Sequence, residues 1–169
     1  YANHARIDFF PNSGKNGEGF LIVRDDGIGM TQADFENKWL VLGTESKTQG
    51  SRNSIYHPPG FRVRPITGEK GIGRLAIALL GNQVIILSRA VRQDGIHDLV
   101  ISWIHWGLFE IPGLNLEDVE IPVLIVQKGQ APSSVHVSEL RSKLLDSVTK
   151  LNLEYPEITV QQIIQEIKD

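Results

Sequence analysis

A strand-like run that ends in a carboxylate pair and a two-glycine turn constrains this chain more than any other feature. Residues 20–23 are the apolar run Phe-Leu-Ile-Val, which predicts a strand, and residues 25–30 read Asp-Asp-Gly-Ile-Gly-Met. Gly27 and Gly29 have no Cβ and tolerate positive φ, so they allow backbone to approach a ligand closely. Because Asp25 stands at the strand end beside this turn, its carboxylate can accept a hydrogen bond from a ligand amine.

A second glycine-rich segment lies further along the chain. Residues 68–74 read Gly-Glu-Lys-Gly-Ile-Gly-Arg and lead into the apolar residues 75–80, which predict a helix. A helix start binds phosphate well, because its N–H groups are free and its dipole is positive there. A site for a base and a site for phosphates together indicate a nucleotide ligand.

In this order, the two segments resemble the glycine boxes of the GHKL ATPases. That superfamily includes gyrase-type topoisomerases, large heat-shock chaperones, sensor histidine kinases, MutL-type repair proteins and MORC-type ATPases. Between the boxes, residues 42–47 read Leu-Gly-Thr-Glu-Ser-Lys, which resembles the start of the nucleotide lid in the MutL, MORC and heat-shock-chaperone-like branch. The resemblance covers roughly residues 1–90. It implies an α+β fold of the Bergerat type, an α/β sandwich with a mixed sheet, helices on one face and a long lid.

The resemblance also implies which residues bind ATP. Asp25 would accept a hydrogen bond from the exocyclic amine of adenine, Gly27 and Gly29 would let backbone approach the base, and Met30 would cover one face of it. Asp26 occupies the variable position of the motif, so its replacement is expected to matter little for binding. The other implied ATP-binding residues lie in the lid-like interval and the second box: Thr44, Lys47, Lys70, Gly71, Ile72, Gly73 and Arg74.

Only the last residues of the family's first motif have counterparts in this chain. Ala2 takes the place of the alanine of that motif, and Tyr1 stands where Asp is usual. The catalytic Glu and the magnesium-binding Asn are therefore expected upstream of Tyr1, and no catalytic residue or metal ligand is assigned here. The implied function is ATP binding and Mg²⁺-dependent hydrolysis that drives lid closure and a conformational or dimerisation change. A homodimer would form through the parent protein, and these 169 residues alone are expected to be inactive.

Several further elements are predicted from local patterns. Thr31 is the expected N-cap of a helix over residues 32–42, with Asp34 in its first turn. Phe35, Trp39 and Leu42 would form one apolar face of that helix, with Trp39 in the core. Strands are predicted at four other places, residues 5–10, 83–88, 98–106 and 122–127, with a hairpin turn at residues 92–95.

The domain organisation follows from length and from a change in pattern near residue 131. A chain of 169 residues suits one domain with an appendage. We expect an ATP-binding domain over residues 1–130 and a helical segment over residues 131–169. In that segment, Leu140, Leu144, Val148 and Leu151 recur at helical spacing, and a capping-box pattern at residues 159–162 begins a further helix.

Composition excludes several classes of protein. The chain has no cysteine, which rules out a disulfide scaffold or a cysteine-based zinc site and fits a cytoplasmic location. Its formal charge of −3 gives no direct sign of nucleic-acid binding. No apolar run reaches the length of about 18 residues that a membrane span requires.

Two other functions are open at this point. Residues 71–76 also fit the dinucleotide pattern G-x-G-x-x-A, with Asp94 about 20 residues further on. A Rossmann site needs a strand directly before its first glycine, and residues 64–70 make a poor strand. The other alternative is a non-catalytic interaction module that responds to nucleotide without hydrolysing it.

Overall fold

The computed structural model describes residues 2–14, 17–41, 58–60, 62, 72–155 and 158–169. Its first unit is an antiparallel hairpin of β1, Ala5–Phe10, and β2, Phe20–Asp25. Both strands were predicted, because each is short, apolar and bounded by turn residues. The hairpin register pairs Ala5 with Asp25 at one end and Phe10 with Phe20 at the other, where the two rings stack with centroids 4.6 Å apart.

One face of this hairpin is apolar and exposed. Ile7 lies opposite Val23 and Phe9 lies opposite Leu21, and each of these four side chains is exposed in the described part of the chain. The other face carries charge near its middle. There Asp8 accepts hydrogen bonds from Arg6 and Arg24 at 2.8 and 3.0 Å.

A second antiparallel sheet contains β3, Gln83–Arg92, β4, Gly95–His105, and β5, Val123–Val126, in the order β3-β4-β5. These strands confirm the predicted ones, but β3 is longer than expected. Because β3 extends to Arg92, that residue ends the strand and does not form the turn. The turn is completed by Gly95 at φ +114°, and a register shift interrupts the pairing between Arg89 and Val91.

The predicted α+β class is confirmed, and every described strand pair is antiparallel. A Rossmann fold would instead place parallel strands on both sides of a crossover helix. The strand that this alternative needs before Gly71 lies outside the described residues.

Two helices, α2, Ser134–Glu154, and α3, Ile158–Lys168, pack on each other and on the second sheet. The four residues predicted to form the apolar face of the first helix are all buried. They join two cores, one formed by the helices with the 3₁₀ turn Trp106–Glu110 and the other by Leu140 with the sheet. The buried members of the first core are Leu108, Ile111, Leu144, Val148, Leu151, Val160, Ile163 and Ile167. None of the described helices combines the length and apolar character that crossing a membrane requires.

The helix after the glycine turn differs from the predicted one. The capping box between Thr31 and Asp34 is present, but α1, Gln32–Asp34, changes into a π-helical turn, Phe35–Trp39. In that wider turn the N–H of Leu40 donates to the carbonyl of Phe35 at 2.9 Å. Phe35 is fully buried and Trp39 stacks on it, with ring centroids 5.2 Å apart, while Leu42 lies outside the described residues.

Candidate nucleotide-binding site

Asp25 ends β2 with an exposed carboxylate that is tied to its own turn. Its Oδ1 accepts a hydrogen bond from the N–H of Gly27 at 2.8 Å. A Cβ on Gly27 would lie 2.6 Å from that oxygen, so any larger residue there would push the carboxylate aside. Within the part of the chain that the structure describes, the second carboxylate oxygen has no protein partner. The strand end therefore presents one oriented carboxylate whose second oxygen is unpaired among the described residues.

Gly29 makes the closest approach in the turn, and it makes that approach to β3. Its φ is +62°, a region that residues with a Cβ rarely adopt. A Cβ on Gly29 would overlap the carbonyl oxygen of Arg89 and would lie 3.0 Å from the N of Ala90. Because both neighbours are backbone, neither can move aside easily. Glycine at this position lets the turn lie directly on the strand.

Two main-chain groups of the turn are paired with β3. The N–H of Met30 donates to Oγ of Ser88 at 2.8 Å. The carbonyl of Ile28 accepts from the N–H of Val91 at 3.0 Å. The backbone around Asp25 is therefore held by a strand that begins more than fifty residues later in the sequence.

Arg92 adds a charged contact to the same turn. Its Nη1 donates to the carbonyl of Ile28 at 2.7 Å, and its Nη2 donates to the carbonyl of Gly29 at 3.2 Å. Nη2 also donates to Oδ2 of Asp34 at 2.8 Å. The Arg92 side chain is only 13% exposed, so water screens these contacts weakly.

Asp34 stays ionised in this setting. Burial opposes its ionisation, but hydrogen bonds from Lys38, Thr31 and Arg92 outweigh burial and hold the pKa of Asp34 well below its usual range. The Lys38 contact is 2.7 Å long and spans one turn of the helix. Asp34 is therefore both the acidic partner of Thr31 in the capping box and the counter-ion of Arg92.

Unlike Asp25, Asp26 binds the segment that precedes β1. Its Oδ1 accepts from the N–H groups of Asn3 at 2.6 Å and His4 at 2.9 Å, and its Oδ2 contacts Nδ1 of His4 at 2.9 Å. These bonds, the His4 backbone bond first, lower the pKa of Asp26 to about 2. Asp26 thus fastens the segment that leads into β1.

The second glycine-rich segment is described only in part. Thr44, Lys47, Lys70 and Gly71 lie outside the described residues. Ile72, Gly73 and Arg74 begin a 3₁₀ helix, Ile72–Leu79, at the place where sequence predicts a helix after a phosphate loop. The helix position is confirmed, although its winding is tighter than that of an α-helix.

Two cavities touch neighbours of the turn without including Asp25. One, of about 320 Å³, lies between the start of α1 and the strands β4 and β5. The other, of about 430 Å³, lies between β3, β4 and residues 129–132. Among the described residues, no group of three or more His, Asp or Glu side chains is placed to hold a metal ion.

Sequence patterns singled out Asp25 and the two glycines as candidate site residues but gave no indication that Ser88 and Arg92 would hold the turn. Thr31 and Asp34 were found because a capping box is a local pattern. No local spacing relates Arg92 to Ile28, since 64 residues separate them. The only available signal was a basic residue at the end of an apolar strand.

Comparison with known proteins supports the interpretation of the two glycine-rich segments as the boxes of a GHKL ATPase. A family model described as "Histidine kinase-, DNA gyrase B-, and HSP90-like ATPase" matches residues 2–118, which include both boxes and the interval between them. Neither the curated proteins nor the solved structures gave a match to the chain.

Proposed function

The chain belongs to the family of histidine kinase-, DNA gyrase B- and HSP90-like ATPases and carries a GHKL-type ATP-binding domain; from that premise we propose that Asp25 selects the adenine base. The observation that carries this proposal is the oriented carboxylate at the end of β2. One oxygen of Asp25 is held by Gly27, and the other is free to accept a hydrogen bond within the described part of the chain.

A carboxylate at this position discriminates between purines. The exocyclic amine of adenine donates a hydrogen bond to a carboxylate, and such charge-assisted bonds are stronger than neutral ones. Guanine presents a carbonyl oxygen at the corresponding position, which would face the negative charge of Asp25 and be repelled. ATP should therefore bind in preference to GTP.

The remaining contacts follow from the family. Gly27, Gly29 and Met30 would line the base. The N–H groups of Gly71, Ile72 and Gly73 would bind the phosphates, with Lys70 and Arg74 nearby as charges and with Thr44 and Lys47 on the lid side. The domain would comprise residues 1–130, and residues 131–169 would form the helical segment that packs on it.

In this proposal Mg²⁺ would bind together with the nucleotide and not at a site formed by the described side chains alone. Because the described residues contain no cluster of His, Asp or Glu side chains suited to a metal ion, they do not by themselves form a magnesium site. Mg²⁺-dependent hydrolysis, lid closure and a coupled change in dimerisation are further steps that family membership supports. Residues 42–47 favour the MutL, MORC and heat-shock-chaperone-like branch.

A second candidate function is nucleotide binding without turnover. It is favoured because the carboxylates of Asp26 in the turn and of Asp34 in α1 are not available to take the place of the family's catalytic Glu. Asp26 is engaged by Asn3 and His4, and Asp34 is engaged by Arg92 and Lys38, so neither is free to act as a general base. Release of inorganic phosphate from ATP with Mg²⁺, measured alongside binding, separates an ATPase from a module that only responds to nucleotide.

Calorimetric titration with ATP and with GTP tests the proposed function. We expect measurable binding of ATP and an affinity for GTP weaker on the order of tenfold or more. Equal affinity for the two nucleotides would show that Asp25 does not read the base. Absence of binding by either nucleotide would overturn the proposal as a whole.

A further inference from the structure

Besides the carbonyl of its neighbour Val91, the guanidinium of Arg92 contacts three acceptors that belong to two other segments. It donates to the carbonyls of Ile28 and Gly29 in the glycine turn and to the carboxylate of Asp34 in α1. The planar fork of arginine can reach several acceptors at fixed angles, which the single ammonium of lysine cannot do. Arg92 therefore fixes the spacing between the turn and the helix that follows it.

The turn depends on Arg92 because its other contacts with β3 are single hydrogen bonds. Ser88 holds the N–H of Met30, and Val91 holds the carbonyl of Ile28. Two successive carbonyls, those of Ile28 and Gly29, converge on one guanidinium, and without a cation their partial negative charges would repel each other. The carbonyl of Gly29 has Arg92 as its hydrogen-bond partner among the described residues.

The cation is itself kept in place by charge. Asp34 neutralises Arg92 and is in turn fixed by Thr31 and Lys38, at 2.9 and 2.7 Å. The side chains of Arg92 and Asp34 are 13% and 22% exposed, so the pair is shielded from solvent on most sides. A shielded, hydrogen-bonded ion pair of this kind holds a fixed geometry better than an exposed one.

We propose that Arg92 is a positioning residue for base recognition, which it controls by holding the turn that orients the Asp25 carboxylate. The inference rests on the proposed function. The effect passes from Arg92 to the carbonyl of Ile28, then along the backbone to the preceding residue, Gly27, whose N–H donates to Oδ1 of Asp25. Selection between adenine and guanine depends on where that carboxylate points, so loosening the turn weakens selection before it weakens phosphate binding.

The test compares the ratio of ATP to GTP affinity in wild-type protein, Arg92→Ala and Arg92→Lys. In Arg92→Ala we expect ATP affinity to fall on the order of tenfold while GTP affinity stays the same, so that the ratio approaches one. Arg92→Lys should give an intermediate ratio, because lysine keeps the charge beside Asp34 but cannot bridge both carbonyls. Arg6→Ala, which removes a surface ion pair with Asp8, is the matched control and should leave the ratio unchanged.

A merely structural role for Arg92 predicts a different result. Partial unfolding removes binding-competent protein for both nucleotides equally, so an unchanged ATP-to-GTP ratio in Arg92→Ala overturns the inference. Should that variant fail to fold, Arg92→Lys decides alone, and a ratio equal to the wild-type one overturns it. If wild-type protein binds neither nucleotide or does not prefer ATP, the proposed function itself fails. If wild-type protein prefers ATP and the variants prefer it to the same degree, only the role of Arg92 fails.

Discussion

Arg92 and Asp34 lie 58 residues apart in the sequence, yet their guanidinium and carboxylate are 2.8 Å apart. This pair joins the end of β3 to the first helical turn after the glycine motif. The turn between Asp25 and Met30 is thereby held by the strand on one side and by the helix cap on the other. The candidate base site is thus built by long-range contacts around a short local motif.

Replacing Asp25 tests base recognition directly. Asp25→Asn keeps the shape of the side chain but removes its charge, and an amide can present N–H to the adenine amine. We expect ATP binding to weaken by roughly 1.5–3 kcal/mol, or about 10- to 150-fold in Kd. Asp146→Asn, which changes an exposed carboxylate on α2, should leave the calorimetric Kd unchanged. Equal losses in the two variants would remove Asp25 from the site.

Asp26→Asn should separate folding from binding. An amide cannot accept from Asn3 and His4 through both of its terminal atoms, so the segment before β1 should loosen and the melting temperature should fall. ATP affinity at a temperature well below melting should stay close to the wild-type value. A large loss of affinity in fully folded Asp26→Asn would place this side chain in the nucleotide site instead.

Gly29→Ala should destabilise the fold strongly, because it combines an unfavourable φ with overlap against the Arg89 carbonyl. The expected cost is roughly 2–5 kcal/mol in the free energy of unfolding. Gly129→Ala shares the positive φ but has open space around it, so it should cost about 1–2 kcal/mol. Gly81→Ala has neither problem and should be nearly neutral. Urea denaturation of the three variants measures this order, and equal costs at positions 29 and 129 would contradict the close contact.

Stability should fall on acidification because of His105. Burial lowers its pKa below the ordinary 6.5, although hydrogen bonding to Glu166 and the charges of Glu166 and Glu110 oppose this. Nδ1 accepts from the N–H of Gly107 at 3.2 Å, so the neutral ring carries its proton on Nε2, 3.0 Å from Glu166. Since the unfolded chain takes up this proton first, stability is complete above pH 6.5 and is lost as pH falls through the folded pKa.

The measurement is the free energy of unfolding from urea titrations at several pH values between about 8 and 5. The wild-type value should decline below the ordinary pKa of His105, and His105→Gln should show a shallower decline because it cannot take up the proton. Parallel curves for the two proteins would assign the acid sensitivity to other groups.

Leu144→Ala tests whether α2 belongs to the structural core. Leu144 is fully buried, so its truncation should cost about 2–5 kcal/mol in the free energy of unfolding. Leu153 lies on the same helix and is 81% exposed, which makes Leu153→Ala a matched control with an expected effect within about 0.5 kcal/mol. Similar values for both variants would mean that the helix does not pack as described.

Local features were predictable and long-range ones were not. The strands, the Thr31 cap and the apolar face of α2 follow from periodicity and capping, which involve neighbouring residues. The contact of Gly29 with Arg89 and the long-range bonds of Arg92 depend on how β3 is placed, which no local pattern specifies. The spacing of Phe35 and Trp39 predicted that they share one face of a regular α-helix, but it did not predict the π turn in which their rings stack.

The position of the glycine turn has a consequence for self-association. In the described sheet β3 is an edge strand, and an open strand edge can pair with the edge of another molecule. Here the N–H of Val91 already donates to Ile28, and the turn covers the strand from Ser88 to Arg92. The contacts that shape the candidate base site therefore also block edge-to-edge pairing along the end of β3, so variants that release the turn should aggregate more readily as protein concentration rises.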